Sequence, residues 1–245
     1  MNSKVTNNEI VGRISSVQTL GSLDGPGLRY VAFLQGCPLK CAYCHNIETR
    51  DFIGGTQTTA SALIADAQKY REYFGKRGGI TLSGGEPLVQ AEFVTEVFKK
   101  AKADGINTCL DTSGAVLNEQ VEELLAFTDY CLLDIKFTSD EEYLKYTGLS
   151  YRAALDFLEA LTRKNVPTRI RQVIVEGLND TENNVLKLKE LKNAHPNVEE
   201  IELLPMRKLC IFKYRDLGLR FPLDDYPETS QKTIDRLNAL LKSEN

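Results

Sequence analysis

The chain has 245 residues, 30 of them basic and 34 acidic, for a net charge of −4, with 42% hydrophobic and 26% charged residues. That composition describes a globular protein able to bury a full core, with no need of disulfides or metal for bulk stability. The slight excess of acid argues against wholesale binding of duplex nucleic acid, which usually needs a clustered basic face, and no run approaches 18 apolar residues, which excludes a membrane-spanning helix. The polar start, Met1 to Ile10, lacks the apolar core of a secretion signal, so a cytoplasmic protein is expected.

Arg29–Gly36 (RYVAFLQG) is the first β-branched or apolar run that predicts a strand. Apolar residues three and four apart (Ala60, Leu63, Ile64, Ala67, Phe74) then predict helix. A strand at Gly79–Leu82 precedes a second helical face, Phe93, Val94, Val97, Phe98 and Ala101, with its stop at Asp104-Gly105. After a strand at Ile106–Leu110, Asn118 caps a short helix holding Val121, Leu124 and Leu125. Strands at Tyr130–Ile135, Thr168–Val175 and Glu200–Leu204 alternate with helices marked by Leu155, Leu158 and Leu161, by Val185, Leu188 and Leu191 before Pro196, and by Ile234, Leu237, Leu240 and Leu241. Six strand–helix units without a break in composition predict one α/β domain, residues 1–245, with a mostly parallel sheet. Six units fall short of the eight of a closed barrel, so the expected fold is an open, partial (β/α)6 barrel. An N-terminal arm over about 1–28 and a C-terminal segment over about 206–245 are expected to cover the barrel of about 29–205.

Six cysteines in a chain of this length are weak ground for disulfides. Cys109 and Cys131 lie inside strands and Cys210 follows Leu209; all three read as small core filler. Cys37-Pro-Leu-Lys-Cys41-Ala-Tyr-Cys44 is different. This C-x3-C-x2-C triplet directly after the first strand can converge on one metal centre. Structural zinc wants four ligands, and His45 adjoins Cys44 too tightly to serve easily as the fourth. An iron–sulfur cubane normally takes four cysteines too, so three would leave one iron open to a small molecule. A zinc knot or a chance grouping is the competing reading.

Polar residues recur where the later strands end: Ser83-Gly84-Gly85-Glu86-Pro87, Asp111-Thr112-Ser113-Gly114 and Asp134-Ile135-Lys136. Each alone is a turn or a surface ion pair. Together with the cysteines they mark the C-terminal ends of successive strands, where barrel-like folds carry their chemistry. Glycines there let the backbone approach a ligand closely. Asp24-Gly25-Pro26-Gly27 is a turn before the first strand, and Arg171 puts a charge inside the apolar fifth strand.

The triplet resembles the signature of the radical S-adenosylmethionine superfamily, in which an aromatic residue commonly precedes the third cysteine, as Tyr43 does. Gly36-Cys37, Cys41, Tyr43-Cys44-His45-Asn46, Asp24-Gly25-Pro26-Gly27, Ser83-Gly84-Gly85-Glu86, Cys109-Leu110-Asp111-Thr112 and Leu133-Asp134-Ile135-Lys136 together resemble the pyruvate formate-lyase activating enzyme family. The match runs from about Gly12 to Pro205. The absence of cysteine from Ile47 to Thr108 matches the group without a ferredoxin-like insert.

The resemblance implies a [4Fe–4S] cluster on Cys37, Cys41 and Cys44, with S-adenosylmethionine on its open iron. It places Tyr43, Cys44, His45, Gly84, Gly85 and Glu86 at the cofactor, and Asp134, Ile135 and Lys136 at its ribose and carboxylate. Asp111 and Thr112 would hold a monovalent cation, while Asp24 and Arg171 would face the partner's glycine loop. The implied reaction is reductive cleavage to methionine and a 5′-deoxyadenosyl radical, which takes a glycine Cα hydrogen from a glycyl-radical enzyme, expected to be pyruvate formate-lyase. No side chain serves as a general base. The electron would come from a low-potential donor such as flavodoxin or ferredoxin, and neither nucleic acid nor membrane is an expected partner. The alternatives are a small radical enzyme acting on a metabolite or an anaerobic ribonucleotide reductase, and a non-catalytic zinc or redox-sensing module. One stretch departs from the family, which has an aromatic residue, a nucleoside-contacting histidine and a glycine after the last strand. Here Met206-Arg207-Lys208-Leu209-Cys210 follows Pro205, so no role is carried over to Arg207.

Overall fold

In the computed structural model, which describes residues 9–243, the apolar runs are strands. In chain order the strands, two of them (β1 and β3) outside those runs, are β1 (Val11–Gly21), β2 (Arg29–Leu34), β3 (Thr56–Thr59), β4 (Gly79–Gly84), β5 (Asn107–Thr112), β6 (Tyr130–Asp134), β7 (Thr168–Ile174) and β8 (Val198–Pro205). The reading of the polar N-terminus falls, for residues 1–8, outside the described residues. The helices are α1 (Ala60–Gln68), α2 (Arg71–Phe74), α3 (Ala91–Ala103), α4 (Glu119–Leu125), α5 (Asp140–Thr147), α6 (Tyr151–Arg163), α7 (Glu182–Ala194), α8 (Ile211–Asp216) and α9 (Gln231–Lys242).

The six expected strands pair in parallel in the order β2-β4-β5-β6-β7-β8. All but the edge strand β8 are buried over most of their length, because helices cover one face and the barrel interior the other. The sheet does not close. β1 and β3 add to its free edge antiparallel, in the order β3-β1-β2, so part of the N-terminal arm is sheet rather than cover. The sequence hides this because the second half of β1, Ser16–Leu20, is exposed and carries no apolar alternation. The two outer edges are the all-polar β3 and the glutamate-bearing β8, both poor templates for further pairing.

Side-chain caps start six of the helices: Thr59, Asn118, Ser139, Ser150, Thr181 and Ser230 each accept from a backbone N–H in the first turn. Each such cap contributes about 1 kcal/mol. α3 ends at Asp104 with Gly105 at φ +67°, as its sequence predicts. Two helices, α5 and α8, have no counterpart in the sequence reading, since they bury only Tyr143 and Thr147, and Tyr214. Cys109, Cys131 and Cys210 are buried free thiols, as core filler should be. Beyond β8 the chain is tied back over the barrel's top: Thr229 donates its N–H to the Met206 carbonyl (3.1 Å) and its hydroxyl to Ile174 (2.6 Å). No helix among the described residues is long and apolar enough to cross a membrane.

Candidate active site

A cavity of about 430 Å³ opens at the C-terminal end of the parallel strands. The loop after β2 brings Cys37, Cys41 and Cys44; β4 brings Ser83, Gly84 and Gly85; β5 brings Asp111, Thr112 and Ser113. Asp134 ends β6 and Lys136 follows it, Arg171 stands on β7, and Asp24 enters from the turn before β2. Val173, Leu204 and Met206 make an apolar wall. The polar strand ends that the sequence scatters over 150 residues thus share one space.

The cysteine loop is held by the two helices the sequence did not announce. Lys40 and Ala42 donate their N–H groups to Thr147 and Tyr146 at the end of α5 (2.7 and 2.8 Å), one on each side of Cys41. From α8, Tyr214 donates its hydroxyl to the Cys44 carbonyl (3.1 Å) and Lys213 its ammonium to that of His45 (3.0 Å). Burial pushes the Cys37 thiol up to about 12 and Cys41 to about 11, and raises Cys44 as well. Such thiols are poor nucleophiles on their own, and a bound metal deprotonates them outright. Among the described residues no three His, Cys, Asp or Glu side chains gather round a point that one ion could fill. Cys37, Cys41 and Cys44 line one cavity, and thiolates are the donors an iron–sulfur cluster takes.

Across the cavity lies a neutral group of two carboxylates and two cations. Arg171 donates Nε to Asp134 (2.8 Å) and its terminal nitrogen to Asp111, while Lys136 donates to the other oxygen of Asp134 (2.7 Å). Burial acts to raise Asp134, but Arg171 and Lys136 outweigh it and hold the carboxyl down at about 2. Asp111 is raised to about 6: its burial outweighs the pull of the Arg171 it shares with Asp134. The remaining oxygen of Asp111 accepts from the Ser83 hydroxyl (2.7 Å), and Thr112 donates to Glu86. The pair expected at a monovalent cation is therefore engaged within the protein.

Two residues expected at the cofactor do not line the cavity. Ile135 is fully buried. Glu86, 1% exposed, turns its carboxylate under the β5 turn, where it accepts from the N–H groups of Leu88 (3.2 Å) and Ser113 (3.0 Å) and from the Thr112 and Ser113 hydroxyls. Its work is to shape the Thr112–Ser113 wall. Tyr43 does line the cavity and donates to the Lys136 carbonyl (3.3 Å); His45 sets Nε2 2.7 Å from the Arg207 carbonyl. The Arg207 guanidinium points elsewhere, to the Thr229 carbonyl (3.0 Å). The sequence reading does not single out Met206 and Val173, which line the cavity, or Tyr214 and Lys213, which hold the cysteine loop. Met206 directly follows β8 and Val173 stands at the end of β7, a signal the strand pattern does hold; the last two lie on α8, where no pattern marks them.

Gly84 sits at φ +106°, and a Cβ there would stand 2.4 Å from the Leu34 nitrogen of β2. Gly84→Ala is therefore expected to destabilise the fold by about 2–4 kcal/mol, read as a lowered denaturation midpoint. An unchanged midpoint would show that β2 and β4 can separate here without loss.

The open parallel barrel, with three cysteines after its first parallel strand and a polar cavity at its strand ends, defines a class. The radical SAM superfamily profile matches residues 31–188. The chain is 39% identical over 236 residues to pyruvate formate-lyase 1-activating enzyme of Escherichia coli, covering 95% of this chain and 96% of that one. It is 41% identical over 234 residues to pyruvate formate-lyase-activating enzyme of Clostridium pasteurianum, covering 95% and 98%. Among solved structures, a domain of the Bacteroides vulgatus activating enzyme superposes with a TM-score of 0.56 at 24% identity, over 67% of this chain and 92% of that domain. Streptococcus suis SuiB bound to S-adenosylmethionine gives 0.64 at 14%, over 83% and 44%, a likeness of fold alone. The chain belongs to the radical SAM superfamily and, within it, to the pyruvate formate-lyase-activating enzyme family. The cofactors of that family are a [4Fe–4S] cluster and S-adenosylmethionine, and the three thiols and the polar cavity fit them.

Proposed function

We propose that this chain activates a glycyl-radical enzyme, pyruvate formate-lyase, by placing a radical on one of its glycine Cα atoms. The observation that carries the reading is identity of 39–41% over 95% of the chain with proteins named for that activity. When bound, the cluster and S-adenosylmethionine supply one-electron cleavage to methionine and the 5′-deoxyadenosyl radical that takes the glycine hydrogen.

The protein's part is to bind, orient and keep water out. Cys37, Cys41 and Cys44 hold the cluster. Lys136 has three donors and gives one to Asp134; the others neutralise the methionine carboxylate, while Asp134 accepts from the ribose. Gly84 and Gly85 offer backbone groups to the amino end, the Tyr43 ring packs beside it, and His45 closes the loop side. Val173, Leu204 and Met206 keep the reacting carbon dry. Asp24 contacts the partner's glycine loop, and Arg171 steadies the two carboxylates beneath it. The electron comes from a low-potential carrier protein, and the reaction belongs to the cytoplasm, with neither nucleic acid nor membrane as partner.

The test is iron and sulfide content with an electron paramagnetic resonance spectrum, taken on anaerobic protein before and after S-adenosylmethionine, then with a glycine-loop peptide of pyruvate formate-lyase. A cluster signal that shifts on adding the cofactor, followed by a glycyl radical on the peptide, is the expected sequence. A signal the cofactor leaves unmoved would rule out the open iron.

A further inference from the structure

A buried guanidinium beneath the cavity takes no part in the chemistry described above. Arg29, the first residue of β2, is 0% exposed. Nε donates to the Thr81 hydroxyl (2.9 Å), and the terminal nitrogens donate to the carbonyls of Pro26 (3.3 Å), Arg77 (3.1 Å) and Ile80 (2.5 Å) and to Asn107 (2.8 Å to its side chain, 3.3 Å to its carbonyl). Every acceptor is neutral. A buried cation without a carboxylate is a weak device for stability, but six fixed bonds make it a rigid one.

What it makes rigid is the Asp24–Gly27 turn. A guanidinium can only donate, so the Thr81 oxygen that accepts from it must aim its own proton elsewhere, and it donates to the Asp24 carbonyl (2.7 Å). Arg29, Thr81 and Asp24 thus form a chain of hydrogen bonds with one polarity. The turn is also pressed home sterically: Gly25 lies at φ +124°, where a Cβ would stand 2.9 Å from the Cys109 sulfur, and Gly27 lies at φ +73°, where a Cβ would stand 2.5 Å from the Gly78 nitrogen. The Asp24 carboxylate lines the cavity and has no hydrogen-bond partner among the described residues.

We infer that Arg29 and Thr81 are positioning residues for the partner's glycine loop, setting the depth at which the Asp24 carboxylate meets the peptide. This rests on the reading of Asp24 given under the proposed function. Hydrogen transfer needs near-contact, and a misplacement of about 1 Å costs about 100-fold in rate.

The experiment uses the full chain with its cluster reconstituted, and a synthetic glycine-loop peptide of pyruvate formate-lyase as the probe. Thr81→Val keeps the shape and removes both bonds; Thr81→Ser keeps the hydroxyl. Thr81→Val is expected to raise the peptide KM about tenfold or more and lower radical yield, with 5′-deoxyadenosine formed without peptide unchanged within about twofold, and Thr81→Ser to return KM to within about threefold of the parent. Adding Asp24→Asn to Thr81→Val should raise KM by much less than it does alone, because both act through one contact. Arg29→Lys, which keeps the charge but not the fork, should move KM in the same direction and serves if Thr81→Val does not fold. An unchanged peptide KM in Thr81→Val, a parallel loss of peptide-free cleavage, or full additivity with Asp24→Asn would each overturn the inference. An unsubstituted chain that cleaves S-adenosylmethionine but leaves no radical on the peptide would overturn the peptide reading itself, and this inference with it.

Discussion

Cys41→Ser is expected to leave a folded protein that holds little iron and yields no glycyl radical. The fold survives because the loop around residue 41 is fixed through backbone, Lys40 to Thr147 and Ala42 to Tyr146, and not through the sulfur. The cluster does not, because a serine hydroxyl is a harder donor that stays protonated where a thiol yields a thiolate to iron. Losing a residue that merely supports a metal ligand costs about 10–100-fold, so losing the ligand itself should exceed 100-fold in radical yield. Iron and sulfide analysis, the cluster's resonance signal and far-ultraviolet circular dichroism read the three parts separately. Cys109→Ser, at a buried thiol inside β5 that does not line the cavity, supplies the control and should retain iron. Full iron content in Cys41→Ser would sink the assignment of the triplet.

The barrel and the cavity differ in how far the sequence announces them. The six parallel strands are legible because burial on both faces demands unbroken apolar runs such as Tyr30–Leu34, and the helices between them repeat their apolar residues every three or four positions. β1 is not, since its outer half, Ser16–Leu20, faces solvent and carries no apolar alternation. α5 and α8 escape for the same reason: each buries one or two side chains, yet both grip the cysteine loop. At the site, residue type and position at a strand end were enough to collect Cys37, Gly84, Asp111, Asp134 and Lys136 round one cavity. Direction was not legible. Nothing in Gly84-Gly85-Glu86 says that the glutamate turns under Ser113 while the glycines face the cavity, nor does Arg171 on β7 announce that two carboxylates flank it. Such facts arise from contacts between residues 27 to 60 positions apart.

Arg171→Ala is expected to lower cofactor binding, peptide-free cleavage and radical yield together, not radical yield alone. The side chain is 11% exposed and bridges Asp111 and Asp134, which are 11% and 22% exposed. Removing the one partner they share leaves a buried charge uncompensated, at a cost of about 3–5 kcal/mol. Lys136 stays with Asp134, so the strain falls on Asp111, whose carboxyl is already raised to about 6 by burial. Without the guanidinium it rises further, above its unfolded value, and the folded form then favours the protonated acid. A group raised in this way contributes stability at low pH and loses it as pH climbs through the folded pKa. The stability deficit of Arg171→Ala should accordingly shrink as pH falls from about 8 towards 5. Asp134 opposes this little over that range, since its carboxyl, held at about 2 in the parent, loses its contribution only in stronger acid. Denaturant unfolding of the parent and of Arg171→Ala across that range measures the deficit, and isothermal titration with S-adenosylmethionine measures binding. Arg171→Lys restores charge but cannot span both carboxylates as a fork does, and should recover only part of each. If Arg171→Ala instead bound and cleaved the cofactor normally and lost radical transfer alone, the guanidinium would be gripping the peptide, and its bonds to Asp111 and Asp134 would have to open when the partner arrives.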